Sequence, residues 1–275
     1  MPSITTPHFL VHDGRIRPRW GSDRISNELA GHIAAELAPL GLVRDGPAFE
    51  RIFVDTVLAT HPDPAQAWNA FYGNTMRRLT RSDPGGTGSV ATFARIYEHV
   101  MSLIRGTIVL DIGCCFGFLP MLAADRDPRL RVIGADLAPP TVALAGRVAR
   151  AQGSHARFAA ADLLALPVAD QAVDTVLAVH VLEHLPPEVS AQALAQLRRV
   201  ARRRVVVAVP LEAAPDPTFG HRQAFDLTRL AALGGNPGWS RAVYAADGGW
   251  LVLDRRTSVL GPARHPARLA RVPLS

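Results

Sequence analysis

Between residues 107 and 210 the chain alternates short apolar segments with alanine- and leucine-rich segments of helical period. The apolar segments span 107–112, 131–136, 156–162, 172–180 and 203–210. Strands that are continuous apolar runs and alternate with helices form parallel sheets covered by helices on both faces. This alternation constrains the fold more than any other feature, and it predicts an α/β protein with a doubly wound sheet.

Two patterns flank this region. The segment "AVYAADGGWLVLDRR" (242–256) predicts a β-hairpin, with Asp247 and Gly248 in its turn. Residues 24 to about 104 have apolar residues at helical spacing, with an interruption or an end expected near Gly73. We therefore predict an N-terminal helical cap in residues 1–88. Residues 89–275 would form a Rossmann-like, mostly parallel sheet with a C-terminal antiparallel hairpin.

Composition places the chain among ordinary globular proteins. Of its 275 residues, 48% are hydrophobic and 20% are charged. No apolar run approaches the roughly 18 residues that span a bilayer, so we expect no transmembrane segment. The first residues do not have the pattern of a signal peptide, and two adjacent cysteines are no disulfide framework. We expect a cytoplasmic protein.

The net charge of +6 comes entirely from arginine, since lysine is absent. The most basic segments are Arg198–Arg204 and residues 263–272. Neither is interleaved with aromatic residues, which nucleic-acid-binding proteins use to stack bases. We therefore predict no nucleic-acid partner, and the oligomeric state stays open.

The loop after the first apolar segment, "DIGCCFG", has the features of a ligand-binding turn. In open parallel sheets ligands bind beyond the carboxyl ends of the strands, and Gly113 and Gly117 would let a ligand approach the backbone closely. A dinucleotide-binding G-x-G-x-x-G pattern fails, because Cys115 and Phe118 occupy its second and third glycine positions. This spacing disfavours a nicotinamide oxidoreductase.

Cys114 and Cys115 have two interpretations. A disulfide between them would be strained, because adjacent Cα atoms lie about 3.8 Å apart, below the usual range for disulfides. A metal site would need ligands from elsewhere in the chain. We predict that the two cysteines pack in the loop, and redox or metal chemistry is the alternative.

Acidic residues end the next two apolar segments. Asp136 could accept hydrogen bonds from both hydroxyls of a ribose, and Asp162 could accept one from an adenine amino group. Leu137 and Leu163 follow them and could form the two apolar walls around the base. Aspartate is also common in turns and at helix N-caps, so each acid by itself is a weak signal.

The segment "VDTVLAVHVLEHL" follows this loop and these acidic residues along the chain. Together, residues 107 to about 230 resemble the class I S-adenosylmethionine-dependent methyltransferases. Their loop reads D-x-G-x-G-x-G, and here Cys115 replaces the middle glycine. The resemblance implies S-adenosylmethionine as cofactor and an acceptor above the fourth and fifth strands. The implied cofactor-binding residues are Asp111, Gly113, Cys115, Gly117, Asp136, Leu137, Asp162, Leu163 and His180. Asp111 would hold the loop through backbone N–H groups.

A narrower likeness covers residues 47 to 230. The segments "AFERIFVDTV", "AWNAFYGNTMRRL", "LDIGCCFGFLPM" and "FGHRQAFDL" resemble the mycofactocin-associated oligosaccharide methyltransferases of actinobacteria. That family implies O-methylation of the 2-hydroxyl of a glucose in the oligosaccharide chain of mycofactocin. The alternatives are methylation of a small phenol, quinone or polyketide, and a non-catalytic protein that binds S-adenosylmethionine.

Methyl transfer to a hydroxyl needs a base, and a positioned histidine typically contributes about 10²–10⁴-fold. His180 and His221 are the two favoured candidates, while Glu183 and His184 are expected beside them. "HVLEH" matches the H-x-x-E-H pattern of zinc proteases, but that pattern requires a helix. A divalent cation held by His180, Glu183 and His184 is an alternative that we do not favour.

The N-terminal segment offers candidate contacts to the acceptor. Trp68 and Phe71 could stack on sugar rings, although they could equally pack a helix against the sheet. Tyr72, Asn74 and Arg78 are the residues we expect to contact an oligosaccharide-bearing acceptor.

Overall fold

The computed structural model of the protein describes residues 3–81 and 85–256. Its central sheet has seven strands in the order β6-β5-β4-β7-β8-β10-β9. The strands are β4 (Ile108–Ile112), β5 (Arg131–Asp136), β6 (Arg157–Ala160), β7 (Val173–Val179), β8 (Ala201–Val209), β9 (Trp239–Ala245) and β10 (Gly249–Arg255). Strands β4 to β8 are parallel, while β10 is antiparallel to both β8 and β9. The predicted α/β sheet and its C-terminal hairpin are confirmed.

Helices cover both faces of this sheet. The helices between and after the strands are α5 (Phe118–Arg126), α6 (Pro139–Ala151), α7 (Ser190–Val200) and α8 (Leu227–Leu233). Successive residues of a strand point to opposite faces, so Val109 and Leu110 belong to different apolar clusters. The cluster around Val109 includes α5, α6 and the N-terminal helices, and the other includes α7 and α8. Strands β4, β7 and β8 are thus buried on both faces, as their apolar sequences require, whereas β6 at the edge of the sheet is mostly exposed.

The N-terminal part is not wholly helical. Strands β1 (Ile4–Thr5), β2 (Phe9–His12) and β3 (Arg15–Pro18) form a small antiparallel sheet. Asp13 and Gly14 connect β2 to β3 with φ angles of 47° and 73°, as a two-residue hairpin turn requires. The Asp-Gly pair was the signal that the helical interpretation missed. The division of the chain at residue 88 stays a prediction.

Helices then follow in the order α1 (Glu28–His32), α2 (Gly46–Leu58), α3 (Pro64–Thr80) and α4 (Ser89–Leu103). A π-helical turn, Ile33–Leu37, continues α1. Helix α3 runs through Gly73, so the expected interruption there is wrong. A glycine costs a helix only about 1 kcal/mol, and the burial of its neighbours Phe71 and Tyr72 outweighs this cost. Among the described residues, no helix is long and apolar enough to cross a membrane.

The arginine-rich segment 198–204 is largely paired within the protein. Arg202 and Arg203 both contact the buried carboxylate of Asp174, at 2.7 and 2.9 Å. Arg204 makes a two-point contact with Asp254. The second basic segment, residues 263–272, lies outside the described residues. Arg202, Arg203 and Arg204 therefore connect β8 to β7 and β10.

Candidate active site

The loop from β4 to α5 turns tightly at three positions. Gly113, Cys115 and Gly117 have φ angles of 72°, 46° and 75°, in the left-handed region. A Cβ atom at Gly113 would overlap Val181, and one at Gly117 would overlap the ring of Phe158. The two glycines are therefore required by the turn itself. Cys115 adopts the same conformation at a steric cost, since it has a side chain.

The two cysteines are free thiols within this loop. Cys114 is buried, and burial raises the pKa of its thiol above the usual range. A protonated buried thiol is neither a nucleophile nor a metal ligand. This agrees with the predicted packing role for Cys114, and Cys115 contributes its backbone N–H, which donates to Asp136 at 2.8 Å.

Asp136, at the end of β5, holds the loop. One of its carboxylate oxygens accepts from the N–H of Cys115 and the other from the N–H of Ala138, at 3.0 Å. The Ala135 carbonyl accepts from Gly113 N–H at 2.8 Å. In the described part of the chain these groups perform the role that we expected of Asp111. Each carboxylate oxygen has a second lone pair, so Asp136 can still accept from ribose hydroxyls.

Asp111 is instead a buried acid beneath the loop, 3% exposed. Burial, reinforced by the nearby Asp136 carboxylate, raises the pKa of Asp111 well above its ordinary value. Asp111 lies near the carboxyl end of β4, the edge of the sheet beyond which a ligand-binding crevice is expected. The structure thus corrects the expectation that Asp111 holds the loop N–H groups. Asp136 accepts from them instead.

Of the residues expected to contact adenine, Leu137 and Asp162 are exposed, whereas Leu163 is buried. Leu137 is 72% exposed beside Asp136, so its apolar side chain is available to contact a ligand. Asp162 is exposed and caps a 3₁₀ turn, Leu163–Ala165, by accepting from Leu164 N–H at 2.8 Å. Leu163 is only 6% exposed and packs in the core, so its side chain cannot be the second wall as predicted.

His180 directly follows β7, at the same edge of the sheet as the loop after β4. Its φ angle is 55°, and its backbone N–H donates to the Ala208 carbonyl at 2.8 Å. Its Nδ1 lies 3.4 Å from Glu183 Oε1, and its ring packs against Phe93 at 5.2 Å. Burial, together with the neighbouring histidines, lowers the pKa of His180 to about 4. The imidazole is therefore neutral near pH 7.

Glu183 is fully buried next to His180. Neither of its carboxyl oxygens has a hydrogen-bond partner among the described residues. Burial, and to a smaller extent the charge of Glu212, raises the pKa of Glu183 to about 8. The carboxyl group is mostly protonated at neutral pH and can donate a hydrogen bond to a group that enters the crevice.

His184 and His221 meet beside this carboxyl group, with ring centroids 5.0 Å apart. His221 Nδ1 lies 2.9 Å from Oε2 of Glu212, which comes shortly after β8. A carboxylate at Nδ1 fixes the tautomer and leaves Nε2 free to accept a proton. Glu212 was missed by the sequence analysis. Its place after the fifth apolar segment was the available signal, since carboxyl ends of parallel strands share one edge of a sheet.

A metal-ligating set also exists here, but not the one considered from the sequence. Donor atoms of Glu183, His184 and His221 all lie within 4.8 Å of one another. The structure thus replaces His180 by His221 in that set. Two imidazoles and one carboxylate suit Zn²⁺ better than Mg²⁺, which prefers oxygen ligands.

The expected acceptor contacts on α3 are mostly structural. Tyr72 is fully buried against Phe71 and Phe118, in an aromatic cluster that also includes Trp68. Asn74 is 7% exposed, and its amide donates to the carbonyls of Ser22 and Ile25. The Asn74 amide is thus already engaged, whereas the buried hydroxyl of Tyr72 has no hydrogen-bond partner among the described residues. Contact of either residue with an acceptor stays a prediction.

Arg78, the third of these residues, is exposed. It lines a shallow pocket together with Glu28 and Arg77. None of the residues that line this pocket belongs to the loop after β4.

A second pocket, of about 520 Å³, lies at the loop after β8. Glu212 lines it, together with Arg222, Asp226 and Arg229. Carboxylates and guanidinium groups offer acceptors and donors to a ligand rich in hydroxyls. The carboxylate that positions His221 is thus part of the wall of a polar pocket.

Comparison with known proteins agrees with this geometry. Residues 109–204 match the family model described as "Methyltransferase domain". A demethylmenaquinone methyltransferase from Thermus thermophilus is 46% identical over 68 residues. The match covers 25% of this chain and 31% of that relative, so the chain spans about a third of the curated relative's length.

Solved structures share the fold at low sequence identity. A protein from Pyrococcus horikoshii OT3 is 19% identical, with a TM-score of 0.51 over 64% of this chain and 95% of its own. The magnesium protoporphyrin IX methyltransferase from Synechocystis PCC 6803, solved with bound SAH, is also 19% identical. Its TM-score is 0.51 over 69% of this chain and 96% of its own. Residues 109–204 thus match a methyltransferase domain, and the chain shares its Rossmann-like fold with a solved S-adenosylmethionine-dependent methyltransferase.

Proposed function

We propose that this protein is an S-adenosylmethionine-dependent O-methyltransferase that acts on a sugar hydroxyl. The acceptor that we propose is the 2-hydroxyl of a glucose in the oligosaccharide chain of mycofactocin, as the family resemblance implies. The observation that carries the proposal is the pair formed by His221 and Glu212 beside a polar pocket. A sugar hydroxyl is a weak acid, so its methylation needs such a base. Location in the cytoplasm stays a prediction from the sequence.

The residues of the crevice fit S-adenosylmethionine. The turn at Gly113 and Gly117 brings the backbone to the pocket without side chains, and Asp136 has lone pairs left for a ribose. Leu137 presents an uncovered apolar face to the base. When bound, the cofactor supplies an electrophilic methyl group carried by a sulfonium ion.

His221 is the better of the two candidate bases. The Glu212 carboxylate holds Nδ1 and stabilises the imidazolium that forms when Nε2 takes the hydroxyl proton. The carboxyl group beside His180 is that of Glu183, 3.4 Å away and mostly protonated, and an imidazole with a pKa near 4 is a weak base at neutral pH. His180 and the protonated Glu183 would instead line the site and hold the acceptor.

The polar pocket supports a sugar acceptor, since Arg222, Asp226 and Arg229 can hydrogen-bond hydroxyl groups.

One observation favours a second candidate. The local likeness to a demethylmenaquinone methyltransferase makes a quinone or a related phenol the alternative acceptor. A phenol loses its proton near pH 10 and depends less on a base.

A direct test offers several acceptors to the purified protein with labelled S-adenosylmethionine. The acceptors are glucan-bearing mycofactocin, a demethylated quinone and a simple phenol, and a metabolite extract serves as an unbiased fourth. We expect label in the oligosaccharide, and glycosidic-linkage analysis should place the methyl group on a 2-hydroxyl. The matched variant Glu212→Gln should bind the cofactor normally and transfer the methyl group slowly.

The outcomes separate the candidates. Label in the quinone alone would support the second candidate. Cofactor binding without label in any acceptor would support a non-catalytic binding protein. Calorimetry without detectable cofactor binding would contradict the whole proposal.

A further inference from the structure

We propose that His8, His32 and Glu36 form a binding site for a transition-metal ion such as Zn²⁺, separate from the methyltransferase crevice. His8 precedes β2, His32 ends α1, and Glu36 belongs to the π-helical turn. One donor atom from each lies within 4.8 Å of the other two. Helices containing π-turns often have them at functional positions.

The donors have the chemistry that Zn²⁺ prefers. Two imidazole nitrogens and one carboxylate, with a fourth position open to water, form a common zinc set. Tetrahedral zinc places its donors about 3.3 Å apart, so small side-chain rotations would bring them close enough. His8 Nδ1 already contacts the carboxylate of Glu36. The His8 side chain is 33% exposed, which leaves a path for the ion.

The surrounding contacts hold the donors in place before any ion arrives. The rings of His8 and His32 stack at 3.7 Å with an interplanar angle of 18°. Trp20 meets both rings edge-on, at 5.2 and 5.9 Å. The backbone N–H of His8 donates to the second oxygen of Glu36 at 3.0 Å.

An ion here would have a structural consequence. His8 lies beside the N-terminal sheet, whereas His32 and Glu36 lie on the helical segment after it. A shared ion would therefore connect the small sheet to the helices that pack against the methyltransferase domain. The site contains none of the residues proposed for methyl transfer, so it stands or falls independently of that activity.

The test uses tag-free, chelator-treated, full-length protein carrying His184→Ala, which removes the second candidate set. Titration with Co²⁺ should produce the visible absorption of a four-coordinate site, and calorimetry should show one Zn²⁺ per chain. Adding Glu36→Gln, which keeps the side chain's size, should weaken Zn²⁺ binding at least about 100-fold, more than the loss of a residue that only supports a ligand. His12→Ala, on the same small sheet, is the matched control and should leave binding unchanged.

Circular dichroism establishes that each variant is folded. A further expected result is that Zn²⁺ raises the Tm of the His184→Ala protein and leaves that of the Glu36→Gln double variant unchanged. The proposal is overturned if the His184→Ala protein binds no Co²⁺ or Zn²⁺. It is also overturned if Glu36→Gln leaves the affinity intact, because the three residues would then be only an ion pair with a stacked ring.

Discussion

Replacing Glu183 by glutamine should change how the stability of the protein depends on pH. The folded protein holds this carboxyl group at a pKa of about 8, against an ordinary value of 4.5. Between these values the folded state keeps a proton that the unfolded state has released. Its free energy of unfolding therefore falls as the pH rises, by up to about 1.4 kcal/mol per pH unit. Above pH 8 the loss is complete.

Glutamine is uncharged at every pH and nearly the same size, so Glu183→Gln removes this loss. The stability of the variant relative to the wild type should therefore increase by about 3 kcal/mol between pH 5 and pH 8. His180 acts in the opposite direction, because its lowered pKa makes the folded state more stable as pH rises from about 4 to 6.5. That contribution is present in both proteins and largely cancels in the difference.

Urea unfolding at pH 5, 6, 7 and 8 measures both free energies, with a chelator present because Glu183 belongs to a candidate metal set. Glu188→Gln, in the exposed turn that follows, is the control and should give a nearly constant difference. A constant difference for Glu183→Gln as well would refute the reasoning. It would mean that Glu183 is ionised in the folded state over the whole range.

Three further predictions concern the site and the sheet. Glu212→Gln should lower kcat about 100-fold, while cofactor affinity measured by calorimetry stays within about twofold. An unchanged kcat would show that Glu212 does not assist His221 as a base. Asp136→Ala should weaken S-adenosylmethionine binding at least about tenfold in the same titration, since hydrogen bonds to charged groups contribute about 1.5–3 kcal/mol. An undiminished affinity would contradict the proposed contact between Asp136 and the ribose. Asp174→Asn should reduce the free energy of unfolding, measured by urea denaturation, by about 2 kcal/mol, because two backbone N–H groups and two arginines contact that buried carboxylate. A loss below about 0.5 kcal/mol would show that those contacts are dispensable.

The sheet was predictable because its signals are local. Strands β4, β7 and β8 are short apolar runs whose residues are buried on both faces, and segments of helical period separate the parallel strands. The hairpin of β9 and β10 was equally clear from one Asp-Gly turn. The same kind of turn at Asp13 and Gly14 was overlooked, since its strands are only four residues long.

Sequence alone thus determined the fold class, the loop that faces the ligand and the strand ends at which acidic and basic side chains would gather. Only the tertiary structure decided which of those side chains meet. It paired His221 with Glu212, gave Asp136 the loop contacts expected of Asp111, and turned Asn74 inward to bind backbone carbonyls. The physical reason is that strand and helix periods are written in neighbouring residues. Burial and hydrogen bonding between distant residues depend instead on how the elements pack.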